Sequence, residues 1–82
     1  MPYIKDHKRF ALEAGARLPE TPGELNFLLT TNILNYCDER PIDYATYNEV
    51  LGVLEACKLE FYRRKLVPYE EAKIILNGDV YA

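Results

Sequence analysis

Hydrophobic positions recur most regularly over 46–67, TYNEVLGVLEACKLEFYRRKLV, and their spacing there is helical. Tyr47, Val50, Leu51, Leu54, Cys57 and Phe61 follow steps of three and four, which sets them along one side of a helix. A thinner second stripe runs through Gly52, Ala56, Leu59, Tyr62 and Leu66, roughly opposite the first. A helix docked on one flank of a small domain needs one stripe. Two stripes imply a central helix covered by its neighbours or one shared with another subunit. Gly52 and Ala56 would let a second helix come close, although Gly52 also reads as an ordinary interior glycine costing about 1 kcal/mol relative to Ala. Thr46-x-x-Glu49 reads as a capping box at the helix start. Pro68, which lacks an N–H and disfavours helical dihedrals at Val67, reads as its end.

The remaining pattern supplies shorter helices. Residues 1–4 read as extended, with Pro2 opposing a helix start. Asp6 can cap a helix over 7–16, where Phe10, Leu12 and Ala14 give a weak apolar pattern that Gly15 and residues 17–19 end. Thr21-Pro22-Gly23-Glu24 is a second start signal. Thr caps, Pro occupies the first helical position, and Glu completes a capping box. The helix continues through LNFLLTTNILNYC, with Leu25, Leu28, Leu29, Asn32, Ile33, Tyr36 and Cys37 on one broad face. Asn26, Thr30 and Asn35 fall on or near the other face, where uncharged polar groups suit exposure, a shared interface or a ligand. After Asp38-Glu39-Arg40-Pro41 the chain leads into the long helix. A fourth helix over 69–76 begins beyond Pro68, with Glu70 and Glu71 complementing its dipole, and stops at Asn77-Gly78. Residues 79–82 form a short tail whose Val80 and Tyr81 suggest docking on a neighbouring subunit. The fold class is all-α: a single domain over 1–82, built as a small bundle of three to four helices around one long central helix.

Length sharpens the case for an oligomer. A core in a chain of 82 residues rarely supplies more than about 3–5 kcal/mol, so small chains often add disulfides, metals or partners. The net charge of −3 argues against a nonspecific coat on duplex nucleic acid. No apolar run is long enough to cross a membrane, and MPYIKDHKRF lacks a signal-peptide core, which points to the cytoplasm. Cys37 and Cys57 sit at apolar positions of separate helices and outside any CxxC pair. They read as reduced, buried thiols.

Catalytic ingredients are sparse, and the expectation is a protein that is not an enzyme, with no cofactor and no metal. The single His7 stands beside Lys8 and Arg9 and reads as a solvated surface residue. Cys57 on an apolar stripe is poorly placed to become a thiolate. Phosphate-loop and dinucleotide glycine motifs are absent. Glu49, Glu55 and Glu60 lack the paired grouping of a Mg²⁺ pyrophosphatase. Glu55 and Glu60 read instead as partners of Lys58, Arg63 and Arg64. A Mg²⁺-dependent nucleotide hydrolase using Glu55 and Glu60 is the enzymatic alternative.

One segment could hold a ligand: Lys58, Tyr62, Arg63, Arg64, Lys65, Tyr69, Lys73 and Tyr81, around the end of the long helix and the helix after it. Arginine forks match phosphate oxygens and tyrosine rings stack on bases. Against this, cations at a helix C-terminus are favourable by about 0.3–1 kcal/mol each simply through the dipole, and Tyr62 and Tyr69 can be packing residues.

The segments MPYI, PGELNFLLT, YNEVLGVLEACKLEFYRR, PYEEAK and NGDVY resemble a family of small phage and bacterial proteins with no assigned activity. The likeness covers 22–81 and the first four residues, and is weakest between Lys5 and Glu20. It transfers no catalytic residue. It implies an interaction device, such as an inhibitor of a host factor or a sponge for a nucleotide signal. The expectation is therefore a non-enzymatic, homo-oligomeric helical binding protein acting on a host factor or defence pathway, with Gly52, Ala56, Leu59 and Leu66 at the subunit interface. Sequestration of a phosphate-bearing nucleotide through the basic and aromatic segment is the alternative.

Overall fold

The computed structural model describes residues 4–81, so all but Ile4 of the segment read as extended lies outside the described residues. The chain is all-helical, with three helices, one of them 34 residues long, and no strand among the described residues. Its contacts divide it into two compact units, Met1–Tyr47 and Asn48–Ala82.

The first unit holds α1 (Asp6–Glu13) and α2 (Pro22–Asp38), which pack on each other. Helix α1 starts at Asp6 rather than after it. The N-cap is Lys5, which makes no side-chain cap bond, and Asp6 instead pairs with Arg9 one turn on. The helix ends in a Schellman motif. Gly15 takes a φ of 71°, its N–H donates to the Leu12 carbonyl, and the Ala16 N–H reaches the Ala11 carbonyl. Leu12, 2% exposed, is the buried apolar side chain at the centre of this unit.

Helix α2 begins as its sequence signals. Pro22 takes the first turn, and the Thr21 hydroxyl accepts from the Glu24 N–H at 3.1 Å. The Glu24 carboxylate departs from the expected capping box: it accepts from the Glu20 N–H at 2.9 Å instead of turning to Thr21. Of the expected face, Leu28, Ile33 and Cys37 are half-buried, while Leu25, Leu29, Asn32 and Tyr36 are exposed; Phe27, Thr30 and Thr31 are also half-buried, so the covered positions do not form a single stripe. The buried Glu24 anchors the first turn through partners on the preceding chain. At the far end, the Arg40 Nη1 donates to the Tyr36 carbonyl at 2.8 Å while the guanidinium lies 3.4 Å from the Tyr36 ring centroid, closing the last turn.

The long helix runs over 44–77 as α3 (Tyr44–Phe61), a π-helical turn (Tyr62–Leu66) and α4 (Val67–Asn77). Its start corrects the Thr46 capping box. Asp43 precedes the first turn, and its Oδ1 accepts from the Thr46 N–H at 2.9 Å, so Thr46 is a buried residue inside the helix.

Pro68 does not end the helix, nor does a separate helix begin after it. In an ordinary α-turn the proline ring would collide with the carbonyl four residues back, that of Arg64. The chain avoids this by widening just before it: the Val67 N–H bonds to the Tyr62 carbonyl, five residues earlier. Helical geometry then resumes until Gly78, whose φ of 85° ends it as Asn77-Gly78 suggested.

Burial separates the units. Among the described residues of 48–81 none is buried, and only Val50 and Val67 are half-buried. The second unit does not close the stripes of the long helix by itself: every Leu, Ile and aromatic side chain from Leu51 to Tyr81 is more than a third exposed. Cys57, on the first stripe, is exposed and Cys37 is half-buried, so neither is the buried thiol its sequence position suggested, and both are free.

Candidate functional site

Two places concentrate polar chemistry. In the first unit, Glu24 is 5% exposed and its carboxylate is held by two groups. Its Oε1 accepts from the Glu20 N–H, and its Oε2 meets the Arg17 guanidinium, which also reaches Glu20 at 3.1 Å. The Glu20 N–H does most to hold the Glu24 carboxyl below the usual carboxylate range. Burial works against it, and Arg17 and the more distant Lys8 reinforce it. These bonds tie the turn that joins α1 to α2 to the first turn of α2. A satisfied, ionised carboxylate of this kind fastens a fold and offers no proton to a substrate.

The second place is the basic segment of the long helix. Lys58 pairs with Glu55 at 3.5 Å and Arg64 with Glu60 at 3.8 Å, as the helical spacing suggested. Lys73 lies over the Tyr69 ring, 5.6 Å from its centroid. Tyr81 is in the tail, where its N–H donates to Asp79 Oδ1 at 2.9 Å, near Lys73 and Ile74. Because Arg63, Arg64 and Lys65 are consecutive, they point around the helix rather than to one side. Arg64 and Lys65 border a shallow groove with Cys57 and Phe61, whereas Tyr62 and Arg63 border another with Ala56 and Leu59. Among the described residues, no group of three or more His, Cys, Asp or Glu is placed to hold a metal ion.

The apolar stripes are the larger feature, and the π turn rearranges them. A turn that spans five residues places Leu66 below Phe61 where an α-turn would place Lys65. The first stripe therefore continues from Leu54 and Phe61 into Leu66, Tyr69 and Leu76. The second continues from Gly52, Ala56 and Leu59 into Arg63, Val67 and Glu71. The expected interface residues Gly52, Ala56, Leu59 and Leu66 are all exposed, Leu59 by 55% and Leu66 by 42%, and a Cβ on Gly52 would meet nothing within 4 Å. Val67 and Glu71 did not stand out in sequence. The five-residue step from Phe61 to Leu66, two residues before Pro68, is the signal that could have found them.

These features define a small all-helical protein with no membrane-crossing helix among the described residues and one long helix whose apolar positions lie open. The chain belongs to the family described as Domain of unknown function (DUF6899), whose pattern matches residues 1–80. No curated protein and no solved structure matches it.

Proposed function

We propose that the chain is a non-enzymatic helical binding protein that works in the cytoplasm as a homo-oligomer, with the long helix at the subunit interface. One observation carries this reading: residues 48–81 hold abundant Leu, Ile, Val and Tyr, yet none of them is buried. An isolated helix gains little from its own backbone in water and depends on packing an apolar face.

The biological setting rests on the family resemblance alone. It is interaction with a host factor or defence pathway in the host cytoplasm. Native mass spectrometry of the protein purified from cells tests the reading. A discrete bare oligomer supports a protein-binding role. An oligomer carrying added mass of nucleotide size supports sequestration of a phosphate-bearing signal by Arg63, Arg64, Lys65 and the nearby tyrosines. A bare monomer at high micromolar concentration overturns the oligomer.

A further inference from the structure

We propose that the occupant of the second stripe is another copy of the same helix, antiparallel, with the two-fold axis passing at Val67. The inference rests on the homo-oligomer reading and adds orientation, register and the residues that select them. The pattern of the stripe is symmetric about Val67. Arg63 lies four residues before it and Glu71 four residues after, while Leu59 and Ile75 lie eight residues to either side. Val67 itself is half-buried while its neighbours in the stripe are exposed. Running the second copy in the opposite direction sets Arg63 against Glu71 of the other chain. The two-fold axis makes this pair twice. Leu59 meets Ile75 outside the charges, also twice.

Charge decides the direction. Around Val67 the helix carries Glu55, Lys58 and Glu60, then the basic run Arg63, Arg64 and Lys65, then Glu70 and Glu71 followed by Lys73; reflected about Val67, Lys73 falls beside Glu60 of the other copy and Lys58 beside Leu76. A parallel, in-register pair would stack the basic segments on one another and the acidic segments likewise, which is repulsive. The antiparallel pair about Val67 lays each basic segment along the following acidic one. Neither Arg63 nor Glu71 has an ion pair within the chain among the described residues, so neither must break one to dock. The π turn is required: it brings Val67 rather than Leu66 into line with Leu59 and Arg63.

The test uses the full chain. Arg63→Glu alone and Glu71→Arg alone each turn two attractive contacts per dimer into repulsive ones, and each is expected to weaken self-association by roughly tenfold or more in sedimentation equilibrium. The double variant Arg63→Glu/Glu71→Arg is expected to restore it. A 1:1 mixture of the two single variants is expected to form heterodimers in native mass spectra. Direction is read separately, in a chain carrying Cys37→Ala and Cys57→Ala. Mixed Leu59→Cys and Ile75→Cys chains are expected to give mainly the crossed disulfide. A wild-type oligomer that resists both single reversals, or that cross-links Leu59→Cys to itself, overturns the register while leaving the homo-oligomer intact. A wild-type monomer overturns both.

Discussion

The two units meet the same requirement in opposite ways. Met1–Tyr47 has a short, polar but clearly one-sided α1 and an apolar α2, and it buries Leu12 and fastens its turn with Arg17, Glu20 and Glu24. The long helix of Asn48–Ala82 is just as apolar but spreads its apolar residues around its axis, and none of its described residues is buried. Apolar content thus does not say where a chain finds its core. The apolar side of α1 faces α2 within its own unit, while the stripes of the long helix have no second element of their own unit to close on.

The largest test strikes the first unit. Leu12→Ala removes its buried apolar anchor and is expected to cost about 2–5 kcal/mol. The loss is read as lowered hydrogen-exchange protection in α1 and α2, with protection in 50–75 unchanged at fixed protein concentration. Equal loss in both units would dissolve the distinction between them. The reverse experiment is dilution of the wild type, where protection over 50–75 should fall with concentration and that over 22–38 should not.

Pro68→Ala acts on the other half. Restoring an N–H and removing the ring favours the helix by up to about 3 kcal/mol, so ellipticity at 222 nm and the melting temperature of a dilute sample should rise. If the π turn then closes to an α-turn, Leu66, Tyr69 and Leu76 rotate by roughly a quarter turn away from Phe61, and self-association should weaken although the helix is stronger. Unchanged association would mean that the alignment of the stripes does not depend on Pro68.

Acid sharpens the contrast further. The Glu24 carboxyl titrates below its unfolded value, so its ionised form contributes stability that is fully present above the ordinary carboxylate range. That stability is lost as pH falls through the lowered value. The urea midpoint of α1–α2 melting should drop on acidification. Glu24→Gln should lower it at neutral pH and flatten the acid dependence, so that variant and wild type converge in acid. A variant as acid-sensitive as the wild type would remove Glu24 from this role. The smallest effects belong to the caps. Thr21→Ala and Asp43→Ala should each cost about 1 kcal/mol, the first shifting the melting of α2 and the second that of the long helix, both by circular dichroism.

Much of the helix content was legible. Thr21-Pro22 announced α2, Asn77-Gly78 announced the final stop, and the two stripes of the long helix were plain as far as Phe61. The misreadings share a cause: each involved a residue with two competing local roles. Asp43 and Thr46 can both cap, and the aspartate, lying three residues earlier, took the position. Glu24 can close a capping box or reach back to Glu20, and the presence of Arg17 favours the second. Pro68 can stop a helix or force a wider turn, and the apolar residues on both sides of it reward continuation. The basic segment was equally visible as composition, but its division around the helix was not. Assigning Arg63 and Arg64 to sides requires the turn geometry that Pro68 imposes.

The wide turn also bears on how this chain tolerates changes in length. A π turn is equivalent to an α-helix that has absorbed one extra residue. With Pro68 replaced by Ala, so that an ordinary turn meets no ring, deleting one residue within 62–66 would leave the parts before and after it in the same rotational phase. In the wild type, deleting one anywhere else in 48–77 would swing everything downstream by about 100°. A deletion within 62–66 is therefore expected to preserve both stripes only together with Pro68→Ala, and a deletion scan run with and without that change should show a tolerant window there that Pro68 closes.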